Sequence, residues 1–301
     1  EDRVPRRSTG RMSIRDALEQ MGLPSSDLRG LPTSQKRFPD GAQYRIEIPS
    51  TEGPRCLEAI LEEADRLDVV VHRVSQGSGV FLLTDAELDE FVALAAGANV
   101  ELSLFARPNA GWAASATSRA PAGGVLAASA RGQDQLAVLE DAVRASDHGV
   151  RSVLLADIGA LYAFARLRAD GLLPAEMQAK VSVMLPIANA ATAKVLEELG
   201  ASTLNLPPDL SLAQIAAIRA AVDLPIDFYV EAPDNLGGFV RLYEVPEIVR
   251  VSAPVYVKFG LRNAPDVYPS GSHLEATVVA LSRERVRRAR AEDVMQTRSP
   301  S

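Results

Sequence analysis

The sequence predicts an α/β fold, a single (β/α)8 TIM barrel with a short N-terminal helical extension. Eight short apolar segments recur along the 301 residues, and each is followed by a stretch with helical periodicity. Such alternation gives a sheet of parallel strands, which closes into a barrel when eight strands are present. The length is also usual for one barrel of this kind. The predicted strands are Tyr44–Ile48, Val69–Val74, Val100–Phe105, Ser152–Ala156, Lys180–Met184, Ser202–Leu206, Ile226–Glu231 and Val255–Phe259.

Apolar stripes and capping residues indicate the helices between these segments. The first barrel helix carries an apolar stripe from Leu57 to Leu67, and the second opens with a capping box over Thr84–Glu87. The third is predicted from Gln133 to Ala145, a later helix starts at Ser211, and the last begins near His273.

This pattern divides the chain into three regions. Residues 1–40 form a tail with one helix from Ile14 to Met21, residues 41–293 form the barrel, and residues 294–301 form a disordered C-terminal tail. These are the domain boundaries that the sequence predicts.

The alternation breaks after the third strand. Residues 107–130 are rich in Gly, Ala, Ser and Pro and contain Trp112. We expect a long loop over the top of the barrel, because binding loops and lids are the usual reason for such length. The alternative, a strand at Val125–Ala127, would give nine segments, which is one too many for closure.

Composition narrows the function classes. Hydrophobic residues make up 47% of the chain, and the net charge of −7 argues against nucleic acid as a partner. No apolar run approaches the ~20 residues of a membrane span and no secretory signal is recognisable, so we expect a cytoplasmic protein with no membrane partner. The single cysteine, Cys56, excludes an iron–sulfur cluster held by several thiolates of one chain. Without a Walker loop or a strand-anchored GxGxxG, we expect no nucleotide cofactor.

Side-chain alternation predicts which residues fill the barrel. The uniformly apolar set of each strand must face the helices, so the other set faces inward. The last inward residue of each strand reaches the carboxyl-terminal mouth, where such barrels place their chemistry. The predicted mouth residues are Glu47, His72, Ser103 or Phe105, Asp157, Met184, Asn205, Glu231 and Lys258. The charged residues below them, which should pair across the barrel, are Arg45, Glu101, Lys180 and Asp227.

Five mouth residues carry the predicted chemistry. The candidate catalytic residues are Glu47, His72, Asp157, Glu231 and Lys258. Glu47 and Glu231, with His72 or Asp157, could bind a divalent metal ion through oxygen and nitrogen ligands. Without metal, one carboxylate could serve as general base. A third interpretation is that Glu47 only neutralises Lys258 or Arg45.

Lys258 is the candidate catalytic residue for which the sequence suggests the most specific roles. It can bind a substrate carboxylate, act as acid or base, or form a Schiff base with a carbonyl. Formation of an imine requires that the pKa of the Lys258 amine be lowered, and nearby carboxylates have the opposite effect, so charge pairing is favoured. His72 is expected to donate a hydrogen bond to the substrate or to exchange a proton with it. The predicted substrate-binding residues are Arg73, Arg107, Trp112, Asn205, Tyr229, Arg262 and Asn263.

Three stretches carry a family resemblance. They are FPDGAQYRIEIP at residues 38–49, YVEAPD at residues 229–234 and KFGLRNAPD at residues 258–266. From Met12 to about Arg290 the chain resembles the collagenase-like U-type peptidase family 32, in an actinobacterial-type subgroup without the four-cysteine cluster. The resemblance implies a TIM-like barrel and a nominal peptidase activity. Better-understood relatives resemble RNA-modification or hydroxylation factors with an iron–sulfur cluster, which Cys56 alone cannot hold.

The function expected from these observations is that of an enzyme acting on a small polar or anionic, or peptide-like, substrate. Carboxylate or metal-assisted acid–base chemistry would make it nominally a hydrolase. A lyase or isomerase of a small carbonyl acid or sugar acid fits the predicted mouth as well. The contrasting class is a ligand-binding or scaffold barrel without turnover, and a homo-oligomer is compatible with either class.

Overall fold

Eight parallel strands close into a barrel in chain order, with β8 pairing back onto β1. The computed structural model describes residues 14–24, 30–108 and 129–296. The strands are β1 (Tyr44–Pro49), β2 (Arg73–Ser75), β3 (Glu101–Phe105), β4 (Ser152–Leu155), β5 (Gln178–Val181), β6 (Thr203–Leu206), β7 (Ile226–Glu231) and β8 (Val255–Phe259). This arrangement confirms the predicted fold. Residues 125–127, the alternative extra strand, and Trp112 lie outside the described residues.

A helix follows each strand, as a (β/α)8 barrel requires. The helix α1 (Ile14–Gln20) precedes the barrel. The helices that follow β1 to β8 in turn are α2 (Pro54–Leu67), α3 (Asp85–Gly97), α4 (Gln133–Asp147), α5 (Ile158–Ala169), α6 (Ala190–Glu198), α7 (Leu212–Ala221), α8 (Val245–Ser252) and α9 (Glu275–Gln296). None of these helices, within the described ranges, combines the length and the apolar character needed to cross a bilayer.

Capping residues fix where the helices begin. Thr84 accepts a hydrogen bond from the backbone N–H of Glu87, whose side chain accepts one in return, and Ser211 and Gln214 repeat the arrangement at α7. Both helix starts confirm the sequence prediction. Each capping box satisfies two backbone N–H groups that the helix itself leaves without a partner.

The second strand differs from its prediction. The sequence predicts a strand over Val69–Val74, whereas β2 covers only Arg73–Ser75. The backbone N–H of Val69 still donates to Ala64 in the last turn of α2, so the first apolar residues connect the helix to the barrel. The apolar residues at the start of the predicted strand are therefore mostly buried, as expected, but they precede the part of the chain that pairs with the neighbouring strands.

The apolar core lies between the barrel and the surrounding helices. Ile46 and Ile48 of β1 belong to the same buried cluster as Leu57 and Ile60 of α2. The opposite face of the strands fills the barrel interior and carries most of the polar and charged side chains, together with a small apolar group that includes Phe105 and Leu154. The apolar layer lies outside the barrel and most charged side chains lie inside it, where the candidate site is found.

Candidate functional site

A cavity of about 390 Å³ opens at the carboxyl ends of the strands. All eight strands, or the residues that directly follow them, contribute to its wall, as expected for the catalytic end of a TIM barrel. We call it the mouth cavity; the residues lining it that matter most here are Ser75, Arg107, Asn205, Tyr229, Lys258 and Tyr268. Of the predicted site residues, Arg107, Asn205, Tyr229 and Lys258 therefore lie together.

Glu47 is the centre of a charged cluster in the barrel interior. Its Oε2 atom lies 2.5 Å from the amine of Lys180 and 2.5 Å from Nη2 of Arg73. Its Oε1 atom accepts a hydrogen bond from Ser75 Oγ at 2.6 Å and lies 3.3 Å from the amine of Lys258. Burial alone would raise the pKa of Glu47, but the three cations outweigh it and hold this pKa well below its usual range.

Asp227 is the second carboxylate of this cluster. It pairs with Arg73 and accepts a hydrogen bond from Thr203 Oγ1 at 2.8 Å. The guanidinium of Arg73 also lies 3.3 Å from the centre of the Tyr256 ring, a cation–π contact. Burial opposes the charge of Arg73, but Asp227 and then Glu47 outweigh it and raise its pKa. We call Glu47, Arg73, Lys180, Asp227 and Lys258 the interior charge cluster.

The two lysines of the interior charge cluster have opposite environments. Burial, followed by repulsion from Arg73, lowers the pKa of Lys180 to about 7. Burial also disfavours the charge of Lys258, but the attraction of Glu47 outweighs it and raises the pKa of that amine. Lys258 borders the mouth cavity, with its amine 4.3 Å from the centre of the Tyr229 ring. Of the two lysines, Lys258 is therefore the one whose charged amine can contact a ligand in the mouth cavity.

Loops after β2, β3 and β8 form one side of the mouth cavity. Arg107 donates a hydrogen bond to the carbonyl of Gly77 at 2.9 Å, and its guanidinium lies 5.6 Å from the centre of the Tyr268 ring. Burial lowers the pKa of Arg107. The Tyr268 ring packs against Gly77 so closely that a Cβ there would collide with it. The hydroxyl of Tyr268 also forms a hydrogen bond with Ser50.

Glu52 supports this wall from behind, and sequence reasoning missed it. It is buried, and its carboxylate accepts hydrogen bonds from the backbone N–H groups of Gly77 at 2.9 Å and Ser78 at 3.0 Å. Burial raises its pKa. The signal available in the sequence was a carboxylate directly after the first strand together with a Gly-rich turn after the second.

Asn205 lines the mouth cavity, and one of its buried polar atoms lacks a partner among the described residues. Its side chain is 1% exposed, and Oδ1 has no hydrogen-bond partner within the described part of the chain. A buried polar atom without a partner costs free energy, which a ligand donor would recover. A ligand donor that reached Oδ1 of Asn205 would therefore satisfy this atom.

The interior pairing predicted for the lower residues is present. Arg45 lies 2.9 Å from Glu101, whose carboxylate also accepts a hydrogen bond from Tyr256 at 2.9 Å. Lys180 lies 3.5 Å from Asp227. The prediction that charges below the mouth neutralise one another across the barrel is therefore confirmed.

His72 does not line the mouth cavity, which corrects its predicted position there. Its Nδ1 atom accepts a hydrogen bond from the backbone N–H of Ile46 at 3.1 Å, and burial followed by repulsion from Arg45 lowers its pKa. Arg73 takes the inward position instead, because the inward-facing residues of β2 are Arg73 and Ser75, both of which contact Glu47, and the predicted alternation was shifted by one residue. Arg73 itself is completely buried in the interior charge cluster rather than on the cavity wall.

Asp157 is a helix cap and does not line the mouth cavity. One of its oxygens accepts a hydrogen bond from the backbone N–H of Ala160 at 2.8 Å, and the other accepts one from Ala130 at 3.2 Å. The residue belongs to the parity opposite to the inward Leu154, which explains its position outside the barrel. The carboxylate satisfies the start of α5.

Glu231 also lies outside the predicted ring. A register irregularity between Tyr229 and Glu231 turns this carboxylate away from the interior. Its Oε1 atom accepts a hydrogen bond from the backbone N–H of Arg262 at 3.1 Å, and its Oε2 atom lies 3.3 Å from Nε of Arg288. Among the described residues, none contacts both the Glu231 carboxylate and the Glu47 carboxylate through a hydrogen bond or an ion pair. The two carboxylates thus do not form the predicted pair.

The predicted divalent-metal ligands do not fit a metal. Both oxygens of Glu47 are occupied by cations and a hydroxyl, and Glu231 belongs to a different set of contacts. Among the described residues no group of three or more His, Cys, Asp and Glu side chains is placed to hold an ion. Glu47 is therefore a counter-ion of the interior charge cluster.

Arg262 and Asn263 lie beside the mouth but are exposed and stay outside the cavity wall. The side chain of Arg262 packs over Gly238. The backbone N–H of Asn263 donates to Asp234 at 2.6 Å, which connects the loops after β7 and β8. Both residues therefore shape the rim rather than the floor of the site.

Comparison with known proteins gives one family match. The sequence profile of peptidase family U32 matches residues 125–232, about a third of the chain. Of the three resembling stretches, this segment includes only Tyr229–Ala232, so it supports the family through the middle of the barrel. No curated protein matches the chain.

Similar solved structures are barrels with low sequence identity. A proposed fructose-1,6-biphosphate aldolase from Coccidioides immitis is 11% identical, with 84% of this chain and 89% of that chain covered and a TM-score of 0.52. The U32 peptidase Mk0906 is 16% identical, with 72% and 93% covered and a TM-score of 0.43. At 11% identity the aldolase likeness concerns the fold alone. The profile match over residues 125–232 supports a U32-like family assignment, and the closed eight-stranded barrel shows the TIM-barrel fold.

Proposed function

We propose that the chain is an enzyme that binds a small anionic organic substrate in the mouth cavity and exchanges a proton with a substrate oxygen through Lys258. The observation that carries this proposal is the position of Lys258. Lys258 lines the cavity, and its amine lies 3.3 Å from the buried carboxylate of Glu47. A positioned ammonium of this kind both attracts an anion and stabilises charge that develops on oxygen.

Size and charge of the mouth cavity support a small anion. A volume of about 390 Å³ falls within the range of small-molecule sites. Its wall carries the cations Lys258 and Arg107, against which the lining contributes the carboxylate of Asp266. The unpartnered amide oxygen of Asn205 would accept a hydrogen bond from a substrate hydroxyl or amine. An acid that also carries a hydroxyl or carbonyl oxygen suits these groups best.

The environment of Lys258 supports an acid role rather than an imine. Glu47 keeps the amine protonated, whereas Schiff-base formation needs the neutral amine. In the proposed step, a C–H bond next to the substrate carbonyl breaks and its proton passes to water. The electron pair moves to the carbonyl oxygen, which takes the proton, or a hydrogen bond, from the ammonium of Lys258. The proton returns to the amine when the carbonyl re-forms. Glu47 positions Lys258 and does not touch the substrate.

This chemistry favours a lyase or isomerase of a small carbonyl acid over hydrolysis of a peptide-like bond. The cavity wall, as far as the described residues form it, includes no histidine or cysteine. Ser75 does lie beside Glu47, but three cations make that carboxylate too weak a base to activate a hydroxyl. The lysine acid is therefore the best-supported reactive group.

A thermal-shift screen with matched ligands tests the proposal. Lactate and pyruvate should raise the melting temperature, whereas the neutral lactamide and pyruvamide should not, because they lack the charge that Lys258 and Arg107 attract. Exchange of the pyruvate methyl protons in D2O, followed by NMR, then tests turnover, since an acid at the carbonyl oxygen accelerates enolisation. Equal stabilisation by acids and amides would contradict an anion site. Stabilisation without any proton exchange would indicate a ligand-binding barrel.

A further inference from the structure

The interior charge cluster contains one positive charge too many when all its groups are ionised. Arg73, Lys180 and Lys258 provide three cations, while Glu47 and Asp227 provide two carboxylates. All five side chains are at most 1% exposed. Because an uncompensated buried charge is costly, one cation of this set is under pressure to lose its proton.

Lys180 is the member that can respond to this pressure. A guanidinium does not lose its proton in proteins, which leaves the two amines. Lys258 borders the mouth cavity and has Glu47 as its close partner. Lys180 lies deeper, absent from the cavity wall, and shares both of its carboxylate partners with Arg73.

Glu47 couples the two lysines directly. Its Oε2 atom contacts Lys180 at 2.5 Å and its Oε1 atom lies 3.3 Å from Lys258, so both amines draw on one carboxylate. The charged groups that face Lys180 are Glu47 from β1, Arg73 from β2, Asp227 from β7 and Lys258 from β8. Groups this close titrate as a set, so a change of charge at one amine alters proton binding at the other.

We propose that Lys180 is the proton-storing residue of the site: in slightly alkaline solution it is neutral while Lys258 is charged and the cavity is empty, and it takes up a proton from water when the charge of Lys258 is removed or is balanced by a bound anion. The part concerning a bound anion rests on the proposed function. Charge balance explains the linkage. Two cations face two carboxylates when Lys258 has lost its charge, and three cations face two carboxylates and the bound anion when the cavity is occupied. The low pKa of Lys180 agrees with this assignment.

NMR titration of the lysine side chains tests the inference without any ligand. Lysine labelled with ¹³C at Cε is incorporated into the full chain, and the Lys180 signal is identified by its loss in K180R. We expect a titration midpoint near neutral pH, which rises by about one pH unit or more in K258M. The partly exposed Lys194 of α6, which pairs with Glu197, provides the control K194M, which should leave the Lys180 midpoint unchanged. K258Q replaces K258M if the methionine variant does not fold.

The outcomes separate this inference from the proposed function. A Lys180 midpoint near 10 in the unmodified chain, or one that K258M and K258Q leave unchanged, would overturn proton storage. Lactate, malonate and inorganic phosphate are then added in turn, and the one that raises the melting temperature should also raise the Lys180 midpoint. A probe that binds without moving the midpoint contradicts the linkage. If none of the three binds, the anion proposal fails, while the K258M titration still decides the charge coupling.

Discussion

At the scale of single residues, Glu47 determines whether the barrel interior is stable. It is completely buried and contacts three cations, so its loss would leave Asp227 as the sole carboxylate of the interior charge cluster. Removing one partner of a buried ion pair typically costs about 3–5 kcal/mol. We expect E47Q to lower the free energy of unfolding by roughly that amount, measured by urea denaturation.

A surface pair provides the control for this variant. Glu284 pairs with Arg287 at 2.6 Å on the exposed side of α9. Exposed pairs contribute at most about 1 kcal/mol, so E284Q should change the free energy of unfolding little. Equal effects of E47Q and E284Q would show that the interior charge cluster does not depend on Glu47.

Lys180 gives a second prediction at this scale, for the pH dependence of stability. Its pKa of about 7 in the native state lies below the ordinary value of 10.5 that applies to the unfolded chain. Between these values the unfolded chain binds more protons, so the free energy of unfolding rises with pH, while the cost of the buried charge is fully present below about pH 7. Lys180 should therefore add on the order of 2 kcal/mol of stability between about pH 7 and about pH 9.

Substitution K180M isolates this contribution. Methionine fills a similar volume without a charge, so in K180M the free energy of unfolding should no longer increase with pH through titration of residue 180. The variant should therefore be more stable than the unmodified chain mainly at the acidic end of the range. The measurement is the free energy of unfolding of both proteins at several pH values. Parallel curves for the two proteins would contradict a lowered pKa at Lys180.

The residues that the sequence identified correctly are those whose strands keep simple alternation. Glu47, Asn205 and Lys258 follow the alternation of β1, β6 and β8, and the structure turns all three inward. Glu231 follows an irregular register and His72 precedes the paired part of β2, so counting alternate residues misplaces both. A bulge and a strand start are set by tertiary pairing, which a single sequence does not display.

At the scale of elements, the loops after β2 and β8 depend on a close contact. A Cβ at Gly77 would collide with the Tyr268 ring, whereas one at Gly53, at the start of α2, meets no atom within 4 Å. We expect G77A to displace Tyr268, to lower stability by roughly 1–3 kcal/mol and to weaken anion binding at the mouth cavity. G53A should be close to neutral.

Thermal melts of both variants, with and without lactate, measure this effect. The comparison is informative because both substitutions add one methyl group near the start of the strand-to-helix connections. A G77A variant as stable as G53A, with unchanged lactate stabilisation, would contradict the close packing of Tyr268 on Gly77.

At the scale of the whole molecule, the barrel was predictable because its signal is repeated eight times. An error in one segment, such as the early start predicted for β2, leaves the closed order of strands unchanged. The site lacks this redundancy, because the orientation of each site residue is set by the register of the single strand that carries it. Glu52 is a residue that strand periodicity could not identify. It accepts hydrogen bonds from the loop after β2, and no periodic pattern in the sequence predicts that this loop folds onto it.

The most direct test of the account is the affinity for a small carboxylate in the unmodified chain, K258M and the surface control K194M. Lactate binding, measured by titration at constant salt and pH, should weaken at least about tenfold in K258M, equivalent to about 1.4 kcal/mol or more, and stay unchanged in K194M. Lactate binding of equal strength in all three proteins would show that Lys258 does not hold the anion and would contradict the central claim.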